Sequence, residues 1–247
     1  MAGHSKFKNI MHRKGAQDAR RAKKFARLIK ELQVAARGSA DPQNNPRLRT
    51  ALLACKSANM PKDNIEKVLN KANSGDQDNL EEVRYEGYGP GGIAILVEAV
   101  TDNRNRTASE VRSSFTKYGG NLGETGSVSY LFKNLAQIIY NVNENDQNEL
   151  LDESIDLGVV DVNPYKKTIE ILCEVSNFNE IREKLEIKFG APESAEIIWL
   201  PNDFINLDKE KSLSVLKFLE ALDECDDVQN VFGNFNLDES TFEDFNT

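Results

Sequence analysis

VRYEGYGPGGIAILVEAVT, residues 83–101, is the stretch that decides the fold class. Two runs rich in apolar and β-branched residues, 83–88 and 93–101, flank the sequence Gly-Pro-Gly-Gly. Glycine supplies the positive φ of a tight turn and proline cannot continue a central strand, so the pattern predicts an antiparallel hairpin. The residues before this hairpin have a helical periodicity, and those after it mix short strands with helices.

The elements after the hairpin predict two ferredoxin-like units, one inside the other. Residues 134–201 read β-α-β-β-α-β, the order of a ferredoxin-like domain. When they are removed, residues 93–133 joined to 203–237 read the same order again. The predicted fold class is therefore α+β, with an N-terminal three-helix domain followed by two ferredoxin-like α/β domains, one inserted into the other. The predicted boundaries are 1–75 for the basic helical domain, 80–133 plus 202–240 for the outer domain, and 134–201 for the insert.

Local patterns in the outer domain give further predictions. Residues 127–132 and 204–207 are each predicted to be a strand. Thr107-Ala108-Ser109-Glu110 matches a capping box, in which the first and fourth side chains satisfy each other's backbone amide groups. A helix is expected to begin there and to end before Gly119-Gly120.

The first 75 residues combine a basic arm with helices. From about residue 16 to 37, apolar residues recur at the three- and four-residue spacing of a buried helical stripe. These residues are Phe25, Leu28, Ile29, Leu32 and Ala36. Pro46 and Pro61 are each expected at the start of a further helix, where the missing N–H of proline costs nothing.

Charge divides the chain into two parts. Residues 1–72 hold 17 Lys or Arg against 5 Asp or Glu, a net charge of +12, whereas the remainder holds 14 against 35, a net charge of −21. Such an asymmetry predicts one surface for a polyanion and another that avoids it. The insert carries 5 basic and 14 acidic residues, so we expect it to face away from nucleic acid.

Basic residues of the arm and first helix are the main candidates for contacts with nucleic-acid phosphates. Lys and Arg release condensed counterions when they bind DNA or RNA. The candidates are Lys6, Lys8, His12, Arg13 and Lys14 in the arm, and Arg20, Arg21, Lys23 and Lys24 in the helix. Only Asp18 and Glu31 offer countercharge nearby in sequence, so the positive field is expected to persist. Phe7 either stacks on a base or anchors the arm to the helical core.

Two loops are secondary candidates. Arg104 and Arg106, between a strand and a helix, either bind phosphates and base edges or belong to a loop that only caps the helix. Gly89, Gly91 and Gly92 either supply positive φ to the hairpin or let bare backbone approach a ligand or RNA closely. The string GYGPGG matches the dinucleotide-binding fingerprint, but that fingerprint must lead into a helix and here it leads into a strand. Nicotinamide and flavin binding are therefore excluded.

The sequence shows no pattern typical of an enzyme, a metal site or a membrane span. Cys55, Cys173 and Cys225 are isolated and odd in number, which argues for a reducing cytosol and against a disulfide framework or a zinc site. His4 and His12 have no carboxylate or cysteine cluster near them in sequence. No apolar run approaches the ~20 residues of a membrane helix, and no apolar signal core opens the chain. We expect a non-enzymatic cytoplasmic protein without cofactor, whose oligomeric state stays open.

Six motifs in combination resemble the YebC/PmpR family, and the resemblance covers nearly the whole chain. They are MAGHSK at 1–6, HRK at 12–14, ANMPKD at 58–63, YEGYGPGG at 85–92, TDNRNRT at 101–107 and GGNLGE at 119–124. The resemblance implies a helical domain plus two α/β domains. It also implies a DNA-binding transcriptional regulatory protein, or alternatively a ribosome-associated translation factor that binds ribosomal or transfer RNA. More distantly, the chain is similar to the mitochondrial translational activator of cytochrome c oxidase.

Two arm positions depart from the family pattern. Phe7 stands where the family usually has Trp, and Met11 stands where it usually has Lys. Phenylalanine keeps a face for stacking but lacks the indole N–H donor. The missing lysine lowers the charge of the arm by one unit.

Overall fold

The computed structural model describes residues 17–74, 79–142, 147–165, 167–237 and 241, with side chains from residue 21 onward. Three helices come first: α1 (Gln17–Ala36), α2 (Pro46–Ser57) and α3 (Lys62–Asn73). The remaining elements are β1 (Glu81–Tyr88), β2 (Ala94–Thr101), α4 (Arg104–Lys117), β3 (Asn121–Leu122), β4 (Phe132–Asn141), α5 (Gln147–Asp156), β5 (Asp161–Tyr165), β6 (Thr168–Glu174), α6 (Phe178–Phe189), β7 (Ser194–Pro201), β8 (Ile205–Asn206), α7 (Lys209–Glu224), β9 (Val228–Gly233) and β10 (Phe235–Asn236).

The helical unit packs around the apolar stripe that the sequence predicts. Leu32 of α1, Leu48 and Cys55 of α2 and Val68 of α3 are buried against one another. α2 begins where Pro46 predicts, because the Asn45 side chain accepts a hydrogen bond from the Leu48 N–H at 3.0 Å. This N-cap satisfies one of the amide groups that the first helical turn leaves without a partner.

The predicted hairpin is confirmed and forms the centre of the outer sheet. β1 and β2 pair antiparallel over eight residue pairs, and the turn between them holds Gly91 and Gly92 at φ +76°. The strand order of this sheet is β3-β1-β2-β9. α4 and α7 cover one face, where Ile95 and Val97 meet Phe115 and Leu219.

The insert has the ferredoxin-like strand order. Its four strands are antiparallel and lie in the order β5-β6-β4-β7. α5 and α6 cover one face, where Leu150 and Ile181 pack on Ile138 and Ile171. The predicted fold class is confirmed, whereas the three domain boundaries stay a prediction.

Two strands are predicted for the outer domain at 127–132 and 204–207. The first is wrong, and the second lies in a different sheet. Residues 129–131 form a single turn of 3₁₀ helix, and Phe132 already begins β4 of the insert. Residues 205–206 form β8, which pairs with β10 in a separate two-stranded sheet. The central strands of the outer sheet are β1 and β2. The short hairpin connection makes the long β1–β2 pairing a local event, which a distant two-residue strand cannot displace.

The predicted capping box is also wrong. Asn103 is the N-cap of α4, and its side chain accepts from the Arg106 N–H at 3.1 Å. Thr107 lies inside the first turn and is fully buried, with its hydroxyl 2.7 Å from Asp227. The Thr107 hydroxyl, which the sequence pattern predicts to cap the helix, instead hydrogen-bonds to the distant Asp227 carboxylate.

The two sheets pack face to face on the sides that their helices leave open. Leu96 and Phe232 of the outer sheet are buried with Leu172 and Ile198 of the insert. Trp199 of the insert donates a hydrogen bond from Nε1 to Glu98 of β2 at 2.8 Å. The insert therefore shares an apolar core with the outer domain. Across the described ranges, no helix is long and apolar enough to cross a membrane.

Candidate nucleic-acid interface

The N-terminal half of α1 presents cations to solvent. Arg21 and Lys24 are exposed, and neither forms an ion pair with any residue that the structure describes. The Arg21 guanidinium lies 5.2 Å from the centre of the Phe25 ring. Lys23 is half-buried, and this burial lowers its pKa although Asp223 acts in the opposite direction. Among the α1 cations whose side chains are described, Arg21 and Lys24 are thus the most accessible to a phosphate.

The C-terminal half of α1 is neutralised by the last turn of α7 and the connection from α7 to β9. Arg27 binds the Asp223 carboxylate at 2.7 Å and its backbone carbonyl at 2.8 Å. Lys30 binds Asp227 at 2.7 Å and the carbonyl of Asp226 at 3.0 Å. Arg27 and Lys30 are therefore neutralised by residues nearly 200 positions away in sequence.

Asp227 joins α1 to the outer domain through a cluster of four side chains. Lys30 binds one carboxylate oxygen, and Arg106 and Thr107 each lie 2.7 Å from the other, which also accepts from Thr101 at 3.0 Å. We call these five residues the Asp227 cluster. Burial alone would raise the pKa of Asp227, but the hydrogen bonds from Lys30, Thr107 and Arg106 outweigh it and hold the pKa well below its usual range.

The two arginines of the 102–107 loop have different surroundings. Arg106 binds both Asp102 and Asp227 at 2.7 Å, so its guanidinium already has two carboxylate partners. Arg104 is exposed and forms no ion pair within the described part of the chain. Of the two alternatives left open for this loop, the geometry gives Arg106 a packing role and leaves Arg104 available to a ligand.

The glycines of the hairpin turn also divide into two kinds. Gly91 and Gly92 are exposed and need glycine for their positive φ. Gly89 is buried, and a Cβ there would lie 2.9 Å from the Phe218 ring, so Gly89 allows α7 to pack closely. Close approach of this turn to a ligand stays a prediction.

An exposed aromatic pair, Tyr88 and Tyr130, lies next to this turn and is not predicted from the sequence. Tyr130 is 67% exposed and Tyr88 is 40% exposed, and the neighbouring hydroxyl of Tyr130 raises the pKa of Tyr88. The loop before Tyr130 is held by Glu86, which is 1% exposed and accepts from the amides of Val128 at 3.0 Å and Ser129 at 2.9 Å. The sequence carries no signal for this arrangement, because a buried glutamate in an exposed-looking strand cannot be recognised from its neighbours.

Several candidates fall outside the described residues. Lys6, Lys8, His12, Arg13 and Lys14 do so entirely, and Phe7 with them. Arg20 lies in the first turns of α1, but its side chain is not among those described. Their contacts with nucleic acid stay predictions.

The described residues contain no group of three or more His, Cys, Asp or Glu that could hold a metal ion. Cys55 and Cys173 are buried, and burial raises the pKa of each thiol to about 11. Thiols with such a pKa are poor nucleophiles at neutral pH, because the reactive species is the thiolate.

Two family domains match almost the whole chain. Residues 5–75 match the domain described as the TACO1/YebC protein N-terminal domain, and residues 80–235 match the TACO1/YebC second and third domain. A relative from Rickettsia bellii (strain RML369-C), named "Probable transcriptional regulatory protein", is 53% identical over 246 residues, which is 98% of this chain and 97% of the relative. A Rickettsia rickettsii (strain Sheila Smith) protein with the same descriptive name is 53% identical over 98% of both chains.

A solved structure has the same architecture. The crystal structure of a conserved hypothetical protein from Aquifex aeolicus superposes with a TM-score of 0.82 at 46% sequence identity, covering 90% of this chain and 93% of that one. Together with the two domain matches, these similarities establish that the chain belongs to the TACO1/YebC family.

Proposed function

We propose that this protein is a non-enzymatic regulator of transcription that binds DNA through its N-terminal arm and the first half of α1. The observation that carries the proposal is the pair of exposed cations, Arg21 and Lys24, without carboxylate partners in the described ranges. They continue the basic sequence of the arm into a folded helix. The names of the Rickettsia relatives support the same function.

The division of α1 suits such a contact. Arg27 and Lys30 fix the helix to the outer domain, so the exposed cations next to them lie on a supported element. Contacts of Lys and Arg with phosphates position a protein on DNA but carry no sequence information directly. We therefore expect this surface to bind many sequences with similar affinity and with a strong dependence on salt.

Reversing both exposed charges tests the proposal. In R21E/K24E, the affinity for a duplex of mixed sequence should fall about tenfold or more, and the slope of log affinity against log salt should become shallower by roughly 2, because two phosphate contacts are lost. Fluorescence anisotropy at several salt concentrations measures both quantities. The matched control is K133E/K217E, which reverses two exposed lysines elsewhere. Equal losses in both variants would count against a specific role for α1.

Sequencing the nucleic acid that crosslinks to the protein in cells tests the cellular target. Promoter DNA is the result expected for a transcriptional regulator. Ribosomal or transfer RNA would instead support the second candidate, a ribosome-associated translation factor.

The aromatic pair favours that second candidate. Exposed rings can stack on unpaired bases, which RNA loops present and duplex DNA does not. Tyr88 comes directly before the glycine-rich hairpin turn and Tyr130 follows the glycine-rich stretch 119–126, and at such stretches backbone can approach a nucleic acid closely. Cytoplasmic location and the absence of catalysis are common to both proposals.

Tyr130→Ala distinguishes the candidates in solution. If the pair stacks on a base, this variant should bind single-stranded RNA about tenfold more weakly, since stacking is worth about 1–3 kcal/mol per base. Its affinity for duplex DNA should not change. Tyr130→Phe is the control, because it keeps the ring and removes only the hydroxyl. Identical RNA affinities for the wild type and Tyr130→Ala would exclude the stacking role.

A further inference from the structure

The outer face of α4 is a second basic surface, in a part of the chain that is otherwise acidic. α4 contains Arg104, Arg106, Arg112 and Lys117 against the single acid Glu110, whereas residues 73–247 as a whole carry a net charge of −21. Its inner face is apolar at Val111 and Phe115, which are fully buried. On the opposite side, five polar residues line a shallow open depression: Ser109, Arg112, Ser113, Thr116 and Lys117.

These five side chains are available to a ligand. Arg112 and Lys117 form no ion pair with any described residue, and Lys117 lies 5.4 Å from the centre of the Tyr118 ring. The hydroxyls of Ser109, Ser113 and Thr116 are exposed and make no hydrogen bond inside the described part of the protein. By contrast, the nearby Ser114 hydroxyl already donates to the Glu110 carbonyl at 3.2 Å.

α4 lies beside α1, on either side of the turn between α7 and β9. Lys30 of α1 and Arg106 of α4 bind the two oxygens of Asp227. Cys225 of the same turn lies close to Lys23 of α1 and to Ser114 of α4. The Asp227 cluster therefore fixes the two basic helices next to each other.

We propose that the α4 surface (Ser109, Arg112, Ser113, Thr116 and Lys117) binds phosphate groups of the same DNA duplex that α1 contacts. The proposal rests on the DNA-binding function proposed above. Guanidinium, ammonium and hydroxyl groups are the donors that proteins use on phosphate oxygens. The stretch from Ser109 to Lys117 rises about 12 Å along the helix, enough to reach more than one phosphate of a strand.

The composition of the surface favours a nucleic acid over an acidic protein segment. None of the five lining side chains is apolar. Surfaces that bind peptides or proteins combine polar contacts with apolar pockets for anchoring side chains. The polar groups that this surface offers are cations and hydroxyls, which provide the sequence-independent contacts typical of a phosphate backbone.

Neutralising the two α4 cations tests the proposal in the full-length protein. R112A/K117A should bind a duplex of mixed sequence about tenfold more weakly than the wild type, with a salt slope shallower by roughly 2. The matched control K133A/K217A, which removes two exposed lysines from other elements, should bind like the wild type. Equal melting temperatures show that the variants fold, and R112Q/K117Q replaces R112A/K117A if the alanines lower the helix stability.

The outcomes separate this proposal from the function on which it rests. If the wild type binds DNA and R112A/K117A binds it equally well, the α4 surface is not a DNA contact, whereas the proposal for α1 stands. If the wild type binds no DNA even at low salt, both proposals are wrong. If R112A/K117A loses affinity for a polyglutamate peptide but not for DNA, the partner is a protein and the proposal is overturned. If the control K133A/K217A loses as much DNA affinity as R112A/K117A, the effect reflects overall charge and the α4 surface has no specific role.

Discussion

Asp227→Ala is expected to lower the free energy of unfolding by about 2–4 kcal/mol. The Asp227 carboxylate is 5% exposed and accepts from four side chains, so its removal leaves the buried hydroxyls of Thr101 and Thr107 without their acceptor. Lys30 and Arg106 are 21% and 45% exposed and can recover hydration, which keeps the loss below that of a fully buried ion pair. The same change removes the link between α1 and α4.

Thermal and denaturant unfolding measure this loss, which should lower the melting temperature by roughly 5–15 °C for a chain of this size. Asp226→Ala is the control, since Asp226 is exposed and contributes only a backbone carbonyl to Lys30. Comparable stability of the two variants would mean that the Asp227 cluster does not hold the helices together.

The effect of Asp227 should depend on pH in a defined direction. Its pKa is depressed in the folded protein, so its contribution is complete above the pKa of an unfolded aspartate, about 3.9, and is lost as the pH falls toward the folded value. The stability difference between the wild type and Asp227→Ala should therefore be constant near neutral pH. It should narrow when the protein is acidified below about pH 4.

Glu86→Ala is expected to cost a similar amount, about 2–4 kcal/mol. Glu86 is buried and its carboxylate accepts the amides of Val128 and Ser129, while Arg84 lies 3.1 Å away. Alanine provides no acceptor, so a buried amide loses its partner and the loop that carries Tyr130 loses its attachment to β1. Glu86→Gln keeps an oxygen acceptor and should lie between the wild type and alanine.

Hydrogen exchange at the Val128 and Ser129 amides reports directly on this loop. Both amides should exchange faster in Glu86→Ala and only slightly faster in Glu86→Gln. Glu124→Ala, an exposed substitution in the same loop, is the control and should leave exchange and stability unchanged. Protected amides in Glu86→Ala would show that the loop is held by other contacts.

Local periodicity explains why most of the fold could be predicted from the sequence. Two runs rich in apolar and β-branched residues around a glycine turn predicted the β1–β2 hairpin, and three- and four-residue spacing predicted the apolar face of α1. The order of elements in residues 134–201 predicted the ferredoxin-like strand order that the insert has in the structure. These signals depend on neighbours in sequence.

The predictions fail where a hydroxyl or amide group hydrogen-bonds to a residue distant in sequence instead of having the local role that the pattern predicts. The Thr107 hydroxyl binds Asp227, 120 residues away, instead of capping α4. The amides of Val128 and Ser129 bind Glu86, more than 40 residues away, instead of forming a strand. Arg27 and Lys30 likewise bind carboxylates that lie nearly 200 residues away, Asp223 and Asp227. The cations of a candidate site can be predicted from the sequence, whereas the carboxylates that pair with them in the fold cannot.

The core that the two sheets share has a consequence for how the protein comes apart. Leu96 and Phe232 are buried against Leu172 and Ile198 of the insert. Separating the insert from the outer sheet would expose the apolar faces of both sheets to water, which the hydrophobic effect strongly opposes. The two α/β units should therefore melt as a single cooperative block, although the chain passes from one to the other and back.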